Sequence, residues 1–526
     1  IVYTPCHRSH IDYLLLSYVI FNRGLMVPHI AAGINLNLPI VGQIMRGGGA
    51  YFIRRTFSGN ELYTSVFKEY LHSLLSRNTP LEYFIEGGRS RTGLLLPPKK
   101  GMLSMTVQSH LRGATKPIAF IPTYFGYEKL MEGTSYLNEL NGKPKEAESI
   151  WGILSSARKI EKVFGQVHVN FGEPIFLDKI LTANQADQIK LNIDDELPQP
   201  VVQTVNQVAN SILENINKAV VVNPISLISL ILLNAKNHAL REYDLILQID
   251  QYRQLLNEAK YDQRMMMTEL SSAEIVQYAQ KLKQVENFSQ NNENWIRVAE
   301  SQKILLSYFS NNILHCFIVP ALVAMLIQSY KKISRHYLMD SVKNMYPYFK
   351  EEFFLKWNLD ELENEIGLIL NSLEQLGWII QQETTVSIAL DEQMQNKLLS
   401  LAHLSSSSLN NMIIISGLLK QYAPSQALTM KELEKMGKTV LQKLFQAQKI
   451  PSGYYFDSAT LKSFISILKQ NSLLSIQDTH FVLSDHFEEK MSAIFNWYDP
   501  DNRQAIIETL HFNEKELKEF KQTSKK

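Results

Sequence analysis

The first 21 residues, from Ile1 to Phe21, read IVYTPCHRSHIDYLLLSYVIF, and their pattern decides the fold class. Ile1 to Thr4 is a short apolar run typical of a buried β-strand, whereas Ile11 to Phe21 is an apolar stretch long enough for a helix. The chain therefore begins with a strand, a polar loop and a helix, which is the pattern of α/β proteins.

The same alternation continues to about residue 180. Further strands are predicted at Leu25 to Ala31, Ala50 to Ile53, Leu81 to Ile85, Ile118 to Tyr124 and Val167 to Phe171. On one predicted helix face, apolar residues recur every four positions, at Leu62, Val66, Tyr70 and Leu74. Because the connections between strands are long enough for crossovers, we expect an α/β fold with a mixed, largely parallel sheet flanked by helices.

The sequence changes character near residue 220. A polar stretch from Thr182 to Pro200 precedes a predicted helix from Val201 to Ala219, and Asn223-Pro224 marks the expected boundary. Beyond it, residues rich in Leu, Gln, Lys and Glu follow a helical period. We therefore predict an α/β domain over residues 1–220 and a mainly α-helical C-terminal region over residues 221–526.

Two places in the second region have the pattern of a winged helix. Helices are predicted at Leu362 to Leu376 and at Leu461 to Leu468, and each is followed by two short apolar runs that can form a β-hairpin. DNA binding is one interpretation of this pattern. The acidic balance of the region favours a packing or regulatory module instead.

Two apolar segments, Ala219 to Leu233 and Ile313 to Gln328, raise the question of membrane contact. Each is shorter than the roughly 20 residues that a spanning helix needs. A buried core helix is the ordinary interpretation of each segment. A helix that lies on the bilayer surface is the alternative.

The composition excludes several classes of protein. Hydrophobic residues make up 45% of the 526-residue chain and charged residues 20%, which argues against a disordered chain, a collagen-like fibre and a polytopic membrane protein. The two cysteines, Cys6 and Cys316, cannot build a disulfide framework or a cysteine-rich zinc site. They fit a reducing compartment.

Basic residues are concentrated near the N-terminus. Residues 1–130 hold 14 Lys and Arg against 6 Asp and Glu, whereas the whole chain holds 53 against 52. This asymmetry predicts an anionic ligand or a membrane surface near the N-terminal part, and it argues against a nucleic-acid track along the chain. A solvated positive surface is the alternative.

The first candidate site is the hexapeptide His7-Arg8-Ser9-His10-Ile11-Asp12, which follows the first predicted strand. Ligands usually bind at the carboxyl ends of strands in an α/β sheet. His7 can act as a general base, and Asp12 can bond its other ring nitrogen and thereby select the tautomer. Two alternatives stay open. Ser9 and Asp12 also fit a helix-capping box, and a metal site would use His10 as well, although His-x-x-His lacks the helical spacing of zinc ligands.

Two glycine-rich stretches carry arginines. Gly47 to Arg55 contains three glycines, a short strand and two arginines, and strand alternation sends Arg54 and Arg55 to opposite faces. We expect at most one of these two arginines to point into the site, and a structural salt bridge is the alternative for the other.

The other stretch runs from Phe84 to Gly93, where Arg89 and Arg91 can clamp a phosphate. Glu86 in the same turn can hold an arginine or accept a hydrogen bond from a substrate hydroxyl. The sequence has no Walker-type phosphate loop, no dinucleotide fingerprint and no serine nucleophile elbow.

Taken in order, these stretches resemble the four motif blocks of the glycerolipid acyltransferase superfamily. His7 and Asp12 match its His-x4-Asp signature, and the later blocks are Gly49 to Arg55, Glu86 to Gly93 and Ile118 to Tyr127. The longer agreement is similar to the bacterial membrane-associated glycerol-3-phosphate 1-O-acyltransferases. It covers His7 to Ser17, Tyr51 to Arg55, Phe84 to Gly93 and, in the second region, Asn311 to His315.

The resemblance implies transfer of a fatty acyl group from acyl-CoA or acyl-carrier protein to the 1-hydroxyl of glycerol 3-phosphate, the first step of phospholipid synthesis. His7 would take the hydroxyl proton and Asp12 would orient His7, with no covalent acyl-enzyme and no metal or prosthetic group. The strand from Ile118 to Tyr124 would be core or a wall for the acyl chain. The residues implied in glycerol 3-phosphate binding are Arg54, Arg55, Glu86, Gly87, Arg89 and Arg91.

The resemblance also implies peripheral attachment to a phospholipid surface on the cytoplasmic side of the cell inner membrane. The chain begins at Ile1, inside a predicted strand and without an initiator Met. Bacterial members of the family carry a long region before the first motif, so we expect this chain to be an N-terminally truncated fragment.

Three other functions stay open. A dihydroxyacetone-phosphate acyltransferase would need nearly the same site. A thioesterase would use His7 and Asp12 to activate water, but it has no need of an arginine clamp for a phosphate-bearing acceptor. A non-catalytic lipid-binding protein could keep the same scaffold, although the intact His7 and Asp12 argue against it.

Overall fold

The computed structural model describes residues 1–54, 56–57, 59–113, 116–130, 165–425, 427–447, 449, 456, 458–496 and 498–524. The chain divides into two compact units. The first comprises Ile1–Ser229, Asp262–Val285 and Leu305–Ile313, and the second comprises Leu230–Tyr261, Glu286–Ile304 and Leu314–Lys526. The chain therefore returns to the first unit twice. The predicted division into two domains at residue 220 stays a prediction.

The elements are numbered in chain order. The strands are β1 (Val2–Pro5), β2 (His29–Gly33), β3 (Ala50–Ile53), β4 (Leu81–Glu82), β5 (Ala119–Tyr127), β6 (Val167–Phe171), β7 (Ile175–Phe176), β8 (Val221–Val222), β9 (Ala239–Arg241), β10 (Met266–Met267), β11 (Glu286–Gln290), β12 (Glu293–Arg297), β13 (Lys332–Ser334), β14 (Ile379–Gln381), β15 (Thr385–Ile388), β16 (Leu474–Gln477) and β17 (His480–Leu483). The α-helices are α1 (Asp12–Asn22), α2 (Val41–Gly47), α3 (Glu61–Ser76), α4 (Gly101–Leu111), α5 (Leu177–Ala183), α6 (Gln199–Lys218), α7 (Pro224–Asn234), α8 (Glu242–Glu258), α9 (Ser272–Lys281), α10 (Lys303–Ile313), α11 (Ile318–Tyr330), α12 (Arg335–Phe353), α13 (Leu359–Gln375), α14 (Glu392–Ala402), α15 (Ser406–Tyr422), α16 (Met430–Gln446), α17 (Ser458–Gln470), α18 (Phe487–Phe495), α19 (Pro500–Thr509) and α20 (Glu514–Ser524).

The first unit is built around a seven-stranded sheet. Its order is β3-β2-β4-β1-β5-β6, and β7 also pairs with β5. The strands from β3 to β5 in this order are parallel, whereas β6 and β7 run antiparallel to β5. In the register, Tyr3 of β1 lies opposite Glu82 on one side and Ile121 on the other. The predicted mixed, largely parallel sheet is confirmed, and β1 lies well inside it.

The helix after β1 buries one row of residues, although apolar side chains occur on more than one of its sides. Asp12, Leu16 and Ile20 recur every four residues, and all three are buried. Leu14 and Tyr18 lie on another side of the same helix, where they are 58% and 68% exposed. The buried row places a carboxylate in the first turn of α1, directly after the loop that carries His7.

The buried face of α3 differs from the predicted one. The helix itself is confirmed, but Leu62, Val66 and Tyr70 of the predicted face are exposed. Two adjacent rows of this helix are apolar, so spacing alone does not decide which row packs. The buried row consists of Phe67, Leu71, Leu74 and Leu75.

Two predicted strands have different bounds in the structure. Strand β2 is His29–Gly33 and not Leu25 to Ala31, because Leu25 lies exposed in the turn after α1. Strand β4 ends after Leu81–Glu82, since the chain then bends towards the loop after β1, where Phe84 stacks on the histidine ring.

The second unit is mainly helical, as predicted, and its described residues form three small sheets with the orders β11-β12-β9, β13-β15-β14 and β16-β17. Both predicted helix-and-hairpin modules are confirmed, because α13 leads into β14 and β15, and α17 leads into β16 and β17. The hairpin of β11 and β12 was not predicted. Its residues are mostly polar and exposed, so they lack an apolar alternation.

The two apolar segments considered for membrane contact are buried core. Ile225, Leu227 and Ile228 of α7 are fully buried, and the residues of α11 from Ile318 to Ile327 are buried as well. Within the part of the chain that the structure describes, the run Glu392–Tyr422 is long and apolar enough to cross a membrane, but 78% of its apolar window is buried inside the protein.

Candidate active site

The carboxyl end of β1 carries the first site residues. Strand β1 ends at Pro5, and the chain passes through His7 before α1 begins at Asp12. Strands β4 and β5 flank β1 in parallel, so the loops that follow these strands leave from the same edge of the sheet. This is the edge at which ligands bind in open α/β sheets.

His7 and Asp12 form the predicted pair. The Nδ1 of His7 lies 3.0 Å from the Oδ2 of Asp12. The Asp12 side chain is fully buried, whereas 18% of the His7 side chain is exposed. The His7 ring also stacks on Phe84, with ring centroids 3.9 Å apart. When Nδ1–H donates to the carboxylate, Nε2 is the basic nitrogen that can meet a ligand.

Several hydrogen bonds hold Asp12 in addition to the histidine. Its Oδ2 accepts from the backbone N–H groups of Arg8 at 2.6 Å and Ser9 at 2.9 Å. Its Oδ1 accepts from the hydroxyl of Tyr127. The N-cap residue of α1 is Ile11 and not Ser9, and its side chain makes no capping hydrogen bond. The backbone N–H of Ser9 instead helps to hold the Asp12 carboxylate. These donors fix the direction of the carboxylate.

Tyr127 is a site residue to which the sequence analysis assigned no role. It belongs to β5, is 3% exposed and lies 115 residues from Asp12 in the sequence. The only sequence signal was its place in the fourth motif block. The rest of that block is core, since Phe120 and Tyr124 are buried, which agrees with the ordinary interpretation of this strand.

Glu86 is a buried carboxyl group, 1% exposed, that supports the histidine backbone. Its Oε1 accepts from the N–H of His7 and its Oε2 accepts from the N–H of Leu96, both at 2.8 Å. Burial raises the pKa of Glu86 to about 7, although the charge of Arg8 and the two N–H donors act in the opposite direction. The predicted contact of Glu86 with a substrate stays a prediction.

Arg8 connects the histidine loop to the loop after β4. It is 2% exposed, and its guanidinium donates to the carbonyl oxygen of Gly93. Its charge also interacts with Glu86. A buried guanidinium needs such partners, because removing an unpaired charge from water is costly. The sequence analysis did not single out Arg8, since an arginine inside the hexapeptide has no distinguishing spacing.

The loop after β4 brings the predicted arginine clamp next to His7. The N–H of Ser90 donates to the carbonyl of His7 at 3.0 Å, so Arg89 and Arg91 flank a residue bonded to the histidine backbone. Both arginines are partly exposed, and Nη1 of Arg91 donates to the Arg89 carbonyl. The Oγ of Ser90 accepts from the N–H of Gly93 at 3.0 Å, which closes the turn.

Gly87 gives this loop a turn that other residues would resist. Its φ is +60°, and a Cβ built on it would lie 2.6 Å from the side chain of Lys99. Lys99 therefore adds a third cation beside the loop. Lys99 could not be recognised from the sequence, because it lies outside the glycine-rich motif.

The other predicted arginine pair is placed differently. Arg54 is exposed, and its guanidinium lies over the ring of Tyr63 at 4.6 Å. The hydroxyl of Tyr63 accepts a hydrogen bond from the backbone N–H of Arg54. Arg55 lies outside the described residues. The prediction that one of these two arginines binds a substrate stays a prediction.

Cys6 precedes His7 but is not suited to be a nucleophile. Burial raises the pKa of the Cys6 thiol to about 12, and its Sγ accepts from the N–H of Phe125. The thiol is therefore protonated at neutral pH. In the ranges of the chain that are described, no group of three or more His, Cys, Asp and Glu side chains is arranged to hold a metal ion.

The arrangement combines three chemical capacities. His7, oriented by Asp12, can accept a proton from a hydroxyl group. Arg89 and Arg91 can bind a phosphate, and they flank Ser90, whose N–H is bonded to the His7 carbonyl. Backbone N–H groups of the glycine-rich turn can stabilise a developing negative charge. Such a site suits transfer of a group to the hydroxyl of a phosphate-bearing compound.

The class of protein follows from comparison with known families. Residues 1–126, which include the sheet edge with His7 and Asp12, match a family described as acyltransferase. The parallel sheet and the oriented histidine thus belong to an acyltransferase domain. The chain as a whole belongs to the glycerol-3-phosphate acyltransferase C-terminal region family, whose model matches residues 136–477, more than half of the chain.

Curated bacterial relatives extend over most of this chain. It is 40% identical over 481 residues to a glycerol-3-phosphate acyltransferase of Pseudomonas paraeruginosa, covering 91% of this chain and 58% of the relative. It is 40% identical over 505 residues to that of Xanthomonas campestris pv. campestris, covering 94% and 56% respectively. For Pseudomonas fluorescens the identity is 37% over 477 residues, covering 90% and 57%. The chain therefore spans about half the length of the curated relatives it matches.

Proposed function

We propose that the protein transfers a fatty acyl group from acyl-CoA or acyl-carrier protein to the 1-hydroxyl of sn-glycerol 3-phosphate, giving 1-acylglycerol 3-phosphate, the first step of phospholipid synthesis. The observation that carries this proposal is the bond from Ser90 N–H to the carbonyl of His7, because it couples the arginine loop to the oriented base. The names of the relatives support the choice of acceptor.

In the proposed reaction, Nε2 of His7 removes the proton of the 1-hydroxyl as its oxygen attacks the thioester carbonyl. The Asp12 carboxylate stabilises the imidazolium that forms. The tetrahedral intermediate then expels the thiolate, which takes the proton from His7. The acyl group passes directly to the acceptor, so this route needs no acyl-enzyme, metal or prosthetic group.

The acceptor is bound through its phosphate. Arg89 and Arg91 supply the guanidinium donors, and Arg55 and Gly87 remain predicted members of the site. Lys99, beside Gly87, adds charge to the same loop. We assign Glu86 an indirect part, because both its oxygens accept backbone N–H groups and one of these belongs to His7.

Two alternatives use the same residues. A dihydroxyacetone-phosphate acyltransferase would use an acceptor that differs from glycerol 3-phosphate only at the carbon next to the reacting hydroxyl. A thioesterase would let water replace the acceptor at His7. The arginine loop favours an acceptor that carries a phosphate, which disfavours the thioesterase.

A transfer assay separates these functions. Labelled palmitoyl-CoA is incubated with the protein in phospholipid micelles, with glycerol 3-phosphate, dihydroxyacetone phosphate or no acceptor, while free thiol is measured in parallel. Labelled 1-acylglycerol 3-phosphate that forms only with glycerol 3-phosphate is the expected result. Thiol release that does not depend on an acceptor would identify a thioesterase.

We also propose peripheral attachment to the cytoplasmic face of the inner membrane through residues 14–70. This stretch holds 12 of the 28 exposed large hydrophobic side chains of the described residues. Ile40 and Ile44 are 71% and 70% exposed. From residue 13 to residue 60 the sequence contains four arginines and neither Asp nor Glu. An apolar and cationic surface suits an anionic bilayer.

Vesicle sedimentation tests this attachment. Replacing Ile40 and Ile44 together by Ser should weaken binding to vesicles of phosphatidylethanolamine and phosphatidylglycerol by about tenfold, since each substitution removes exposed apolar area. Leu390→Ser is the matched control, because Leu390 is 91% exposed but lies in the second unit. Equal binding of both variants would place the attachment elsewhere.

A further inference from the structure

Helix α10 belongs in part to the catalytic unit although it lies far from the motifs in sequence. Residues Leu305–Ile313 pack with the first unit. The sequence analysis singled out Asn311 to His315 only for its resemblance, and the proposed mechanism gives this segment no task. Its contacts within the first unit show what it does.

Asn311 bonds the arginine loop directly. Its Nδ2 donates to the carbonyl oxygen of Thr92 at 2.9 Å, across 219 residues of sequence. Thr92 follows Arg91 in the chain. The Thr92 carbonyl belongs to the planar peptide that joins Thr92 to Gly93, so this bond restrains the loop at the residue directly after Arg91.

The same helix contacts the next residue of the loop through its backbone. Gly93 has a φ of +88°, and a Cβ built on it would lie 2.9 Å from the carbonyl carbon of Tyr308 and closer still to its oxygen. A side chain at this position would therefore push the loop off the helix. Tyr308 and Asn311 are three residues apart, so they lie on neighbouring positions of one helix face.

The loop is thus held from two directions. On one side, Arg8 donates to the carbonyl of Gly93, and Ser90 donates to the carbonyl of His7. On the other side are Asn311 and the backbone of Tyr308. Guanidinium groups bind a phosphate well only when their backbone is held in one geometry.

We infer that Asn311 is a positioning residue for acceptor binding, which holds the loop of Arg89 and Arg91 in place through the Thr92 carbonyl. This inference rests on the proposed function, because it names glycerol 3-phosphate as the ligand of that loop. Asn311 acts through the loop and has no contact with the reacting atoms in the mechanism.

Steady-state kinetics of Asn311→Leu tests the inference. The substitution removes the donor and keeps the branched outline of the side chain, so the KM for glycerol 3-phosphate should rise about tenfold. The KM for palmitoyl-CoA should stay unchanged. Asn311→Gln keeps an amide donor and should restore part of the acceptor affinity.

Asn312→Leu is the matched control. Asn312 is the adjacent residue of the same helix and is 4% exposed, but its Nδ2 donates at 2.7 Å to the Tyr308 carbonyl within the helix. This variant should lower Tm without a selective rise in the acceptor KM. If Asn311→Leu does not fold, Asn311→Ser carries the same comparison.

The outcomes separate the inference from the proposed function. A normal acceptor KM for Asn311→Leu, or an equal change in both Michaelis constants that follows Tm, would overturn the positioning role. Absence of transfer to glycerol 3-phosphate by the wild-type protein would instead overturn the proposed function.

Discussion

The site joins two parts that are held in different ways. One is the corner formed by His7 and Asp12, where the contact between the side chains and the N–H bonds from Arg8 and Ser9 all come from one hexapeptide. The other is the loop of residues 86–93, whose carbonyl groups are bonded by residues 85 and 219 positions away in sequence. A short motif can thus carry most of its own geometry, whereas a binding loop depends on distant residues.

The largest expected effect comes from removing the base of the corner. His7→Ala should lower kcat by roughly 10³-fold, because it removes the group that takes the hydroxyl proton in the proposed reaction. Because the His7 side chain is partly exposed, Tm and the circular dichroism spectrum should stay near those of the wild type.

His10→Ala is the control for this experiment, because it removes a histidine from the same loop. It should retain most of the activity. A His7→Ala protein with a near-normal rate would show that His7 is not the base. The corner formed by His7 and Asp12 would then have no catalytic role.

Substitutions in the loop of residues 86–93 should change the KM for the acceptor more than kcat. Arg89→Ala should raise the KM for glycerol 3-phosphate by roughly 10- to 100-fold, because a charge-assisted bond to phosphate is lost. The KM for the acyl donor should stay constant. Arg77→Ala, at an exposed arginine after α3, is the matched control. An unchanged acceptor KM for Arg89→Ala would contradict the clamp.

The corner formed by His7 and Asp12 could be predicted from the sequence because its contacts are local. His7 and Asp12 lie five residues apart at a strand-to-helix turn, so elementary spacing predicts their contact. The parallel sheet was predictable because each strand is a short apolar run separated by a crossover. The rule that ligands bind at the carboxyl ends of strands pointed to the loops that carry His7 and Arg89, and the structure joins these loops through the Ser90 N–H.

The remainder could not be predicted because it depends on long-range contacts. Nothing in the motif shows that Tyr127 reaches Asp12 or that Asn311 reaches Thr92. The predicted apolar face of α3 was not the buried one, because two rows of this helix are apolar and only the tertiary structure selects which row packs. The two backbone N–H groups that Glu86 accepts, from His7 and Leu96, could not be predicted from its motif either, and its contact with a substrate stays a prediction.

Tyr127→Phe asks how far the corner depends on a remote residue. It removes one donor from Asp12 while leaving the N–H bonds of Arg8 and Ser9, so kcat should fall about tenfold at an unchanged KM. Tyr83→Phe is the control, since its buried hydroxyl contacts Thr106 instead. Equal activity of both variants would show that the hexapeptide alone is enough to orient the histidine.

The smallest expected effect concerns stability and belongs to Glu86, which supports the corner from the loop side. Burial raises the pKa of Glu86 from its ordinary value of 4.5 to about 7. Between these pH values the unfolded chain releases the proton that the folded protein keeps. The contribution of this group to stability is therefore fully present below about pH 4.5 and is lost as the pH rises through about 7.

Thermal unfolding of the wild type and Glu86→Gln across this range tests the assignment. The Tm of the wild type should fall relative to that of Glu86→Gln as the pH rises from about 4.5 to about 7. Above about pH 7 the difference between the two Tm values should be constant. Glu82, whose pKa burial and the Asp12 charge also raise, titrates in both proteins and cancels in the difference. A difference that stays constant or moves in favour of the wild type would mean that Glu86 is ionised throughout. The N–H groups of His7 and Leu96 would then face a fixed charge, and the corner would be held by electrostatic attraction at every pH.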